Sequence, residues 1–261
     1  MRDVDGQWRE RILAWAREQA VTDGAILDVR VAGSLVGPQD TDEWSDVDLL
    51  LVVSPEALDR VSDPRWVAAI GKVWAWDASG GGERRTVRYV FEDGRWLDLV
   101  VATSTESLAL TSRSLIRHDV VTIEGLPAGR PLLHELDNGF RFASALAVTK
   151  IARNDLVIGI HLALGLLRDC LVLAMLIRDR DGGAHHHRVG GPLNEVAFAV
   201  CSSHATVSTA QDALTLIDHA ASLWTTLASR LDASYLEDRR GLTALLDQAR
   251  QSIGGQGPLE G

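Results

Sequence analysis

Lysine and cysteine are the residue types that this sequence of 261 residues almost lacks. Lys72 and Lys150 are the only lysines among 26 basic residues, a bias that a genome rich in G and C can produce without functional meaning. The two cysteines, Cys170 and Cys201, are too few for a disulfide framework and show no paired metal-binding spacing. These absences exclude a disulfide-rich scaffold and a metal centre built from paired cysteines.

On sequence criteria, the chain has neither a secretion signal nor a membrane span. The first 20 residues carry charges throughout and contain no apolar signal-peptide core. The longest apolar stretch, near Leu156 to Leu167, is interrupted by His161 and bounded by Asp155 and Arg168, which leaves it too short to cross a bilayer. We therefore expect a cytoplasmic protein without a membrane partner.

The charge balance excludes a further class of partner. Asp and Glu number 36 against 26 Lys and Arg, giving a net charge of -10. Such a chain is unsuited to broad electrostatic contact with a nucleic-acid backbone. A small cationic ligand, or a site that collects a divalent metal, fits this sign better.

The composition, with 46% hydrophobic residues, is that of a globular protein of one large domain or two ordinary ones.

The hydrophobic pattern changes near the middle of the chain. A first helix has Trp8, Ile12 and Ala16 at helical spacing, with Arg and Glu on its other face. Strand patterns follow, and they cover residues 25–32, 47–53, 84–91 and 96–102, the last two as a hairpin. Beyond about Pro131 helical periodicity takes over, with helices expected near 140–151, 156–179, 206–231 and 239–253. The sequence predicts a mixed α/β domain, 1–128, followed by an all-helical domain, 129–261.

An acidic window without any basic residue lies between Arg30 and Arg60. Its seven carboxylates are Asp40, Asp42, Glu43, Asp46, Asp48, Glu56 and Asp59. Asp46 and Asp48 lie two residues apart at the start of a predicted strand, so their side chains share one face. Like charges at that separation raise each other's pKa unless a cation lies between them. This spacing therefore favours a divalent metal site.

A third carboxylate, Asp98, interrupts the apolar strand 96–102 and would be costly to bury without a partner. If the two strands are neighbours, Asp98 completes a platform of three carboxylates with Asp46 and Asp48. Hard oxygen ligands of this kind suit Mg²⁺ or Mn²⁺ that bridges phosphates. Upstream, a strand ends at Gly33-Ser34, where glycine permits close backbone approach and serine starts an expected helix, an arrangement typical of a phosphate cradle.

This order of motifs resembles the nucleotidyltransferases of the DNA polymerase β-like superfamily. The segment GSLVGPQDTDEWSDVDL, residues 33–49, is similar to the Gly-Ser to Ser-Asp-x-Asp signature of streptomycin 6-adenylyltransferases and lincosamide nucleotidyltransferases. The segment VTKIARNDL, residues 148–156, is similar to a Lys-x-x-Arg-x-Glu-Leu stretch that opens a helix pair in the streptomycin enzymes. The resemblance covers about residues 25–180 and implies a nucleotidyltransferase domain with a mixed β-sheet, of α/β (α+β) class, followed by an all-helical bundle.

The resemblance also implies a metal site and a proton acceptor. Asp46 and Asp48 would bind Mg²⁺, with two ions expected, and Asp98 would either complete the metal site or accept the proton of the attacking hydroxyl. In-line attack on the α-phosphorus of a nucleoside triphosphate would expel pyrophosphate. Such chemistry depends on positioning and charge neutralisation, so it requires no protein nucleophile.

Two further roles concern the substrates. Gly33 and Ser34 would contact the nucleotide phosphates, and Lys150 would reach the triphosphate from the helical domain, in a cleft between the domains. The implied reaction transfers AMP from ATP to a hydroxyl of a small cationic antibiotic, with aminoglycosides first and lincosamides second.

Other functions and other roles for these residues stay open. Minimal nucleotidyltransferases of toxin–antitoxin pairs share the Gly-Ser and Asp-x-Asp motifs and transfer AMP to a protein, and a degenerate fold could serve as a nucleotide-binding module. Asp98 could cap a turn or pair with Arg95, and Lys150 could be a solvated helix position. Trp44 could stack on a sugar or base. The sequence leaves the oligomeric state open.

Several motif matches fail on inspection. An EF-hand starting at Asp40 would need Gly and Glu where Ser45 and Leu51 stand. The segment after Gly33 has no Gly-Lys-Ser/Thr and is therefore no Walker motif. His185 to His187 are consecutive and flanked by glycines, which favours a loop over a metal site. Arg180 and His185 have the spacing of a helical RNase motif, but the glycines between them favour a loop there too.

Overall fold

Five strands near the N-terminus form one mixed sheet, in the order β1-β2-β5-β4-β3. The strands are β1 (Ile26–Ala32), β2 (Val47–Val53), β3 (Val73–Gly81), β4 (Arg84–Phe91) and β5 (Trp96–Ala102). β2 and β5 pair in parallel, whereas the other neighbouring strands are antiparallel. The parallel pair at the centre of the sheet places two distant segments of the chain in direct register.

This computed structural model describes residues 7–35, 42–105, 130–182, 193–204 and 207–255. The chain divides into two compact units, Met1–Pro127 and Ala128–Gly261. In the described ranges, the first unit contains the whole sheet and the second contains helices alone. The predicted fold class, a mixed α/β domain followed by an all-helical part, is confirmed.

The hydrophobic core of the first unit lies on one face of the sheet. Helix α1 (Gln7–Thr22) buries Trp8, Ile12 and Ala16, which recur every four residues and therefore form one stripe. The core also contains alternate strand residues and the short helix α2 (Leu58–Val61), and its largest buried strand members are Leu49, Leu51, Tyr89, Phe91, Leu97 and Leu99. Because side chains alternate along a strand, the residues between these point to the opposite face.

One strand and one helix of the described structure are absent from the sequence prediction. The edge strand β3 buries only Trp74 and Ala75, and its second half is an exposed stretch of serine and glycine that carries no alternating apolar signal. Helix α5 (Asn194–His204) is short and follows a glycine-rich segment. β2, β4 and β5 have the predicted bounds, because each is a short, mainly apolar segment.

Helices make up the described part of the second unit. They are α3 (Arg130–Ala152), α4 (Leu156–Gly182), α5, α6 (Ala210–Leu231) and α7 (Arg240–Gly255). α3 packs against α4, α6 and α7, and α4 also packs against α6. The sequence places the start of α6 at Thr206, but the helix begins after Thr209, whose hydroxyl accepts from the Asp212 backbone N–H while the Asp212 carboxylate accepts from the Thr209 N–H.

By length and composition, helix α4 is long and apolar enough to cross a membrane. The sequence predicts an apolar stretch too short for this, and that prediction is wrong. Over Leu156–Asp181 the best window has a mean hydropathy of 2.0, and 39% of that window is buried within the structure. The apolar pattern resumes after Arg168 and supplies the missing length. The buried side includes Leu166, Cys170 and Leu173, and the Cys170 thiol donates to the Ala220 carbonyl of α6 at 3.4 Å. A core helix of a soluble domain has the same composition, and the cytoplasmic location stays a prediction.

A buried carboxylate joins three parts of the helical unit. Asp137 of α3 accepts from the Trp224 indole N–H of α6 at 2.9 Å and from the Tyr235 hydroxyl at 2.8 Å. Its second oxygen pairs with Arg141 at 2.6 Å, and the Phe140 ring stacks on Trp224 with centroids 4.3 Å apart. Both oxygens of this buried side chain are therefore satisfied, as a buried charge requires.

Replacing this carboxylate should destabilise the fold. Removal of one member of a buried ion pair costs about 3–5 kcal/mol, because the partner charge stays behind without compensation. We expect Asp137→Ala to lower the free energy of unfolding by that amount in urea denaturation. Asp247→Ala is the control, because Asp247 is mostly exposed and its ion pair with Arg250 spans 3.9 Å, and it should change stability by less than about 0.5 kcal/mol. Equal effects of the two substitutions would contradict the assignment.

Candidate metal-binding active site

Two of the predicted carboxylates lie side by side on neighbouring strands. Asp48 of β2 is in direct register with Asp98 of β5. Asp46 lies two residues before Asp48, just outside the strand. One carboxylate oxygen from each of Asp46, Asp48 and Asp98 can be chosen so that all three atoms lie within 4.8 Å of one another. The structure thus brings together the three residues that the sequence analysis singled out as a platform.

The three carboxylates lie at half-buried positions. Burial, and secondly the charge of Asp46, raise the pKa of Asp48 to about 6. Burial also raises the pKa of Asp98 well above its ordinary value, and Asp46 and Asp48 add to that effect, while Arg88 opposes it. Three anionic groups in such an arrangement repel one another, and burial weakens the solvent screening that would otherwise reduce the repulsion.

One oxygen of this cluster has no hydrogen-bond partner in the described structure. Asp98 Oδ1 is buried, and no donor among the described residues reaches it. A buried carboxylate oxygen without a donor is costly unless a cation compensates it. The donor set is entirely carboxylate oxygen, the ligand type that Mg²⁺ and Mn²⁺ prefer. The residues therefore fit a divalent cation held by Asp46, Asp48 and Asp98.

Gly33 directly follows β1 and lies against this cluster. Its φ of 65° lies in the left-handed region that favours glycine. Ala32, the preceding residue, is in register with Asp48. A Cβ on Gly33 would overlap Asp48 Oδ2 and lie 2.8 Å from Asp48 Cγ. The close approach predicted for Gly33 is thus an approach to the Asp48 carboxylate, and contact with a nucleotide phosphate stays a prediction.

The helix expected after Gly33 is not present in the described residues. Gly33–Leu35 forms a 3₁₀ turn of three residues, and residues 36–41 lie outside the described part of the chain. The side chain of Ser34 also lies outside it, so the predicted phosphate contact of Ser34 stays a prediction.

Lys150 belongs to the second unit. It lies near the end of α3, and its Nζ is 3.7 Å from Asp155 Oδ2, with about a third of the Lys150 side chain exposed. The pair bridges the short connection between α3 and α4. The structure therefore gives Lys150 a partner within its own unit, and its contact with a triphosphate stays a prediction.

Three alternatives raised by the sequence have structural outcomes. Arg95 binds Asp93 at 2.7 Å and the Ile70 carbonyl at 2.9 Å, while Asp98 lies inside β5 and caps no turn. Trp44 is buried, which leaves little of its ring for stacking on a sugar or base. Arg180 donates to the Leu231 carbonyl at the end of α6, which is a capping role. His185 to His187 lie outside the described residues.

Two more charged residues, Arg88 and Asp77, continue the row of charged side chains across the sheet. Neither is predicted as a site residue from the sequence. Arg88 of β4 is in register with Asp98, and Asp77 of β3 is in register with Arg88. Arg88 Nη2 and Asp77 Oδ2 lie 2.7 Å apart. The alternation of Thr86 and Arg88 with the buried Val87 and Tyr89 could have placed Arg88 on this face. Asp77 gave no such signal because β3 was not predicted.

A third missed residue is Arg9 of α1. The sequence pattern predicts that the arginines of this helix lie on its solvent-exposed face. In the structure, Arg9 Nη2 donates to the Ser45 carbonyl at 2.8 Å. Ser45 directly precedes Asp46. The contact spans 36 residues of sequence, and local periodicity contains no information about it.

Comparison with solved structures gives several matches. One of these, the structure of an aminoglycoside 6-adenyltransferase from Bacillus subtilis, covers 92% of this chain and 98% of its own chain, with 16% sequence identity and a TM-score of 0.38. No protein-family model and no curated protein sequence matches the chain. The functional assignment therefore depends on the residues of this chain.

Adding a methyl group at Gly33 should damage the carboxylate cluster. Gly33→Ala forces either a shift of Asp48 or a change of backbone conformation, and a left-handed non-glycine residue costs about 1–2 kcal/mol. We expect Mn²⁺ affinity, measured by calorimetry, to fall at least about tenfold. Gly24→Ala is the matched control, since a Cβ there has nothing within 4 Å. Wild-type Mn²⁺ affinity in both variants would contradict the role assigned to Gly33.

The raised pKa of Asp48 predicts a pH-dependent effect of its neutralisation. The folded protein prefers protonated Asp48, so its stabilising contribution is complete below about pH 4 and is lost as the pH rises through about 6. Metal-free Asp48→Asn should therefore melt at a higher temperature than wild type above about pH 7 and lose that advantage below about pH 4. Saturating Mg²⁺ should stabilise only the wild type. A variant that is less stable than wild type at both pH values would refute this assignment.

Proposed function

We propose that this protein is a Mg²⁺-dependent nucleotidyltransferase that transfers AMP from ATP to a hydroxyl of a small cationic acceptor of the aminoglycoside type. The observation that carries the proposal is the cluster of Asp46, Asp48 and Asp98, in which a buried Asp98 oxygen lacks a donor among the described residues. A cation would remove both the repulsion and the unsatisfied oxygen. The Gly-Ser and Ser-Asp-x-Asp motifs within residues 33–48 support the same reaction class.

The geometry suits transfer of a phosphorus group because such chemistry needs charge neutralisation and alignment. Asp46, Asp48 and Asp98 would hold the metal, and the absence of a side chain at Gly33 leaves room for the Asp48 carboxylate. When bound, the metal would offset the negative charge that develops during transfer. Lys150 is proposed to contact the triphosphate, in agreement with the resemblance of residues 148–156 to the helical motif of the streptomycin enzymes.

Asp98 is the proposed proton acceptor. The acceptor hydroxyl oxygen forms a bond to the α-phosphorus, the bond between that phosphorus and the bridging oxygen to the β-phosphorus breaks, and pyrophosphate leaves with the electron pair. The hydroxyl proton passes to Asp98. The register of β5 with β2 places Asp98 beside Asp48, so a carboxylate is available next to the proposed metal to take this proton. One Asp98 oxygen would serve the metal and the other the proton.

Charge supports a cationic acceptor. Residues 1–125 contain 14 basic and 22 acidic residues, a net charge of -8, and residues 126–261 contain 12 and 14, a net charge of -2. The acidity is thus concentrated in the unit that contains the carboxylate cluster. The exposed residues Asp42 and Glu43 lie four and three positions before Asp46. A polycationic aminoglycoside would be attracted to this region, and the attraction should weaken with salt.

Pyrophosphate release provides the test of this function. The full chain is mixed with ATP, Mg²⁺ and either an aminoglycoside, a lincosamide or a tyrosine-containing protein, and both pyrophosphate and adenylylated product are measured. We expect release with an aminoglycoside, and its loss by at least about a thousandfold in Asp46→Asn. Asp98→Asn should lower kcat, because it removes the proton acceptor.

The outcomes separate the competing functions. Transfer to the protein alone would replace the small-molecule acceptor by the toxin–antitoxin type of reaction. Mg²⁺-dependent ATP binding without any transfer would identify a nucleotide-binding module. Asp28→Asn is the control for loss of an acidic side chain. Asp28 lies on β1, where it pairs with Arg30, and its register partner on β2 does not belong to the cluster. Near-normal turnover of Asp46→Asn would overturn the metal assignment.

A further inference from the structure

Asp46 is the one member of the carboxylate cluster that the sheet does not hold. Asp48 and Asp98 lie within paired strands, so their backbones are fixed by the β2–β5 ladder. Asp46 precedes β2, which begins at Val47. Its position therefore depends on the turn of residues 42–45 that leads into the strand.

This turn has its own network of hydrogen bonds. Asp42 Oδ1 accepts from the Trp44 N–H at 2.9 Å and from the Ser45 hydroxyl at 2.8 Å. The Asp42 N–H donates to Ser45 Oγ at 2.9 Å, and the Ser45 N–H donates to the Asp42 carbonyl at 3.2 Å. Trp44 and Ser45 are buried. These bonds fix the shape of the turn, but they leave open how the turn is attached to the rest of the unit.

Arg9 attaches the turn to α1. Its Nε and Nη2 both donate to the Ser45 carbonyl, at 3.2 and 2.8 Å, and Nη2 also donates to the Asp42 carbonyl at 3.0 Å. The neighbouring Trp8 and Ile12 are buried in the core, so the helix itself is anchored. The Arg9 guanidinium also lies 4.6 Å from the centroid of the Trp8 ring. A planar group with several donors can bind two carbonyls at once, which an ammonium group does less well.

We propose that Arg9 is a positioning residue that fixes Asp46 for metal binding by holding the Ser45 carbonyl. The Ser45 carbonyl and the Asp46 N–H belong to one planar peptide group, so fixing the carbonyl orients the backbone from which the Asp46 side chain projects. This inference rests on the proposed metal site and deepens it. Arg9 acts through the peptide and needs no contact with substrate.

The charge of Arg9 adds to this effect. Its guanidinium interacts electrostatically with both Asp42 and Asp46. A cation at this place reduces the repulsion that Asp46 meets from Asp48 and Asp98, and so it favours the assembled cluster before the metal arrives. The hydrogen bonds described for Arg9 go to the carbonyl oxygens of Ser45 and Asp42. Arg9 therefore supplies this charge through bonds to the backbone, which leaves the Asp46 carboxylate for the metal.

The test compares Arg9→Met, Arg9→Lys and the control Arg17→Met in the full chain. Arg17 lies on the same helix but is exposed, so its replacement leaves the turn untouched. Mn²⁺ affinity is measured by calorimetry without nucleotide, and thermal unfolding is measured with and without Mn²⁺. We expect Arg9→Met to weaken Mn²⁺ binding about 10- to 100-fold, as loss of a residue that orients a ligand does. Arg9→Lys should recover part of the affinity, and Arg17→Met should match wild type.

A merely structural Arg9 would give a different result. Arg9→Met would then lower the melting temperature equally with and without Mn²⁺ and leave the Mn²⁺ affinity unchanged, which would overturn the inference. If wild type binds Mn²⁺ and Arg9→Met binds it weakly, the inference stands, even if no acceptor is adenylylated and the proposed function fails. If wild type binds no Mn²⁺, both fail. If all variants bind alike while wild type transfers AMP, only the role of Arg9 is refuted.

Discussion

The parallel pairing of β2 with β5 is the constraint on which the site depends. Leu49 and Leu99 bury their side chains on the core face, and strand alternation then places the carboxylates of Asp48 and Asp98 opposite each other on the other face. A slip of one residue would put a carboxylate into the core and expose a leucine, so the register is strongly specified. The energy of the core thus holds together groups that repel each other.

Other features near the cluster follow from that repulsion. Gly33 comes so close to Asp48 that a side chain there would overlap the carboxylate. Arg88 is in register with Asp98 but binds Asp77 at 2.7 Å, so its charge moderates the cluster while Asp98 Oδ1 keeps no donor among the described residues. Arg9 acts from the other end, through the Ser45 carbonyl. Both arginines thus interact favourably with members of the cluster, Arg9 with Asp46 and Arg88 with Asp98.

The sequence could predict what local patterns encode. β2 follows from its apolar composition, and β4 and β5 follow from alternation and a hairpin turn, while the two-residue spacing of Asp46 and Asp48 predicts carboxylates on one face. The third carboxylate required the assumption that two distant strands are neighbours, which the β2–β5 register bears out. Asp77 could not be found because half of β3 is exposed serine and glycine. Arg9 could not be found because its contact depends on the packing of α1 across 36 residues of sequence.

Asp137 and Asp98 show two different environments for a carboxylate with buried oxygens. Asp137 receives donors from Trp224, Tyr235 and Arg141, so both of its oxygens are compensated and it stabilises the helical unit. Asp98 has an arginine in register and still leaves one buried oxygen without a donor among the described residues. A carboxylate of the first kind needs nothing further. One of the second kind stays costly while it is charged, unless a proton or a cation compensates it, and because its neighbours Asp46 and Asp48 are also carboxylates, a divalent cation would offset more of the repulsion than a monovalent one.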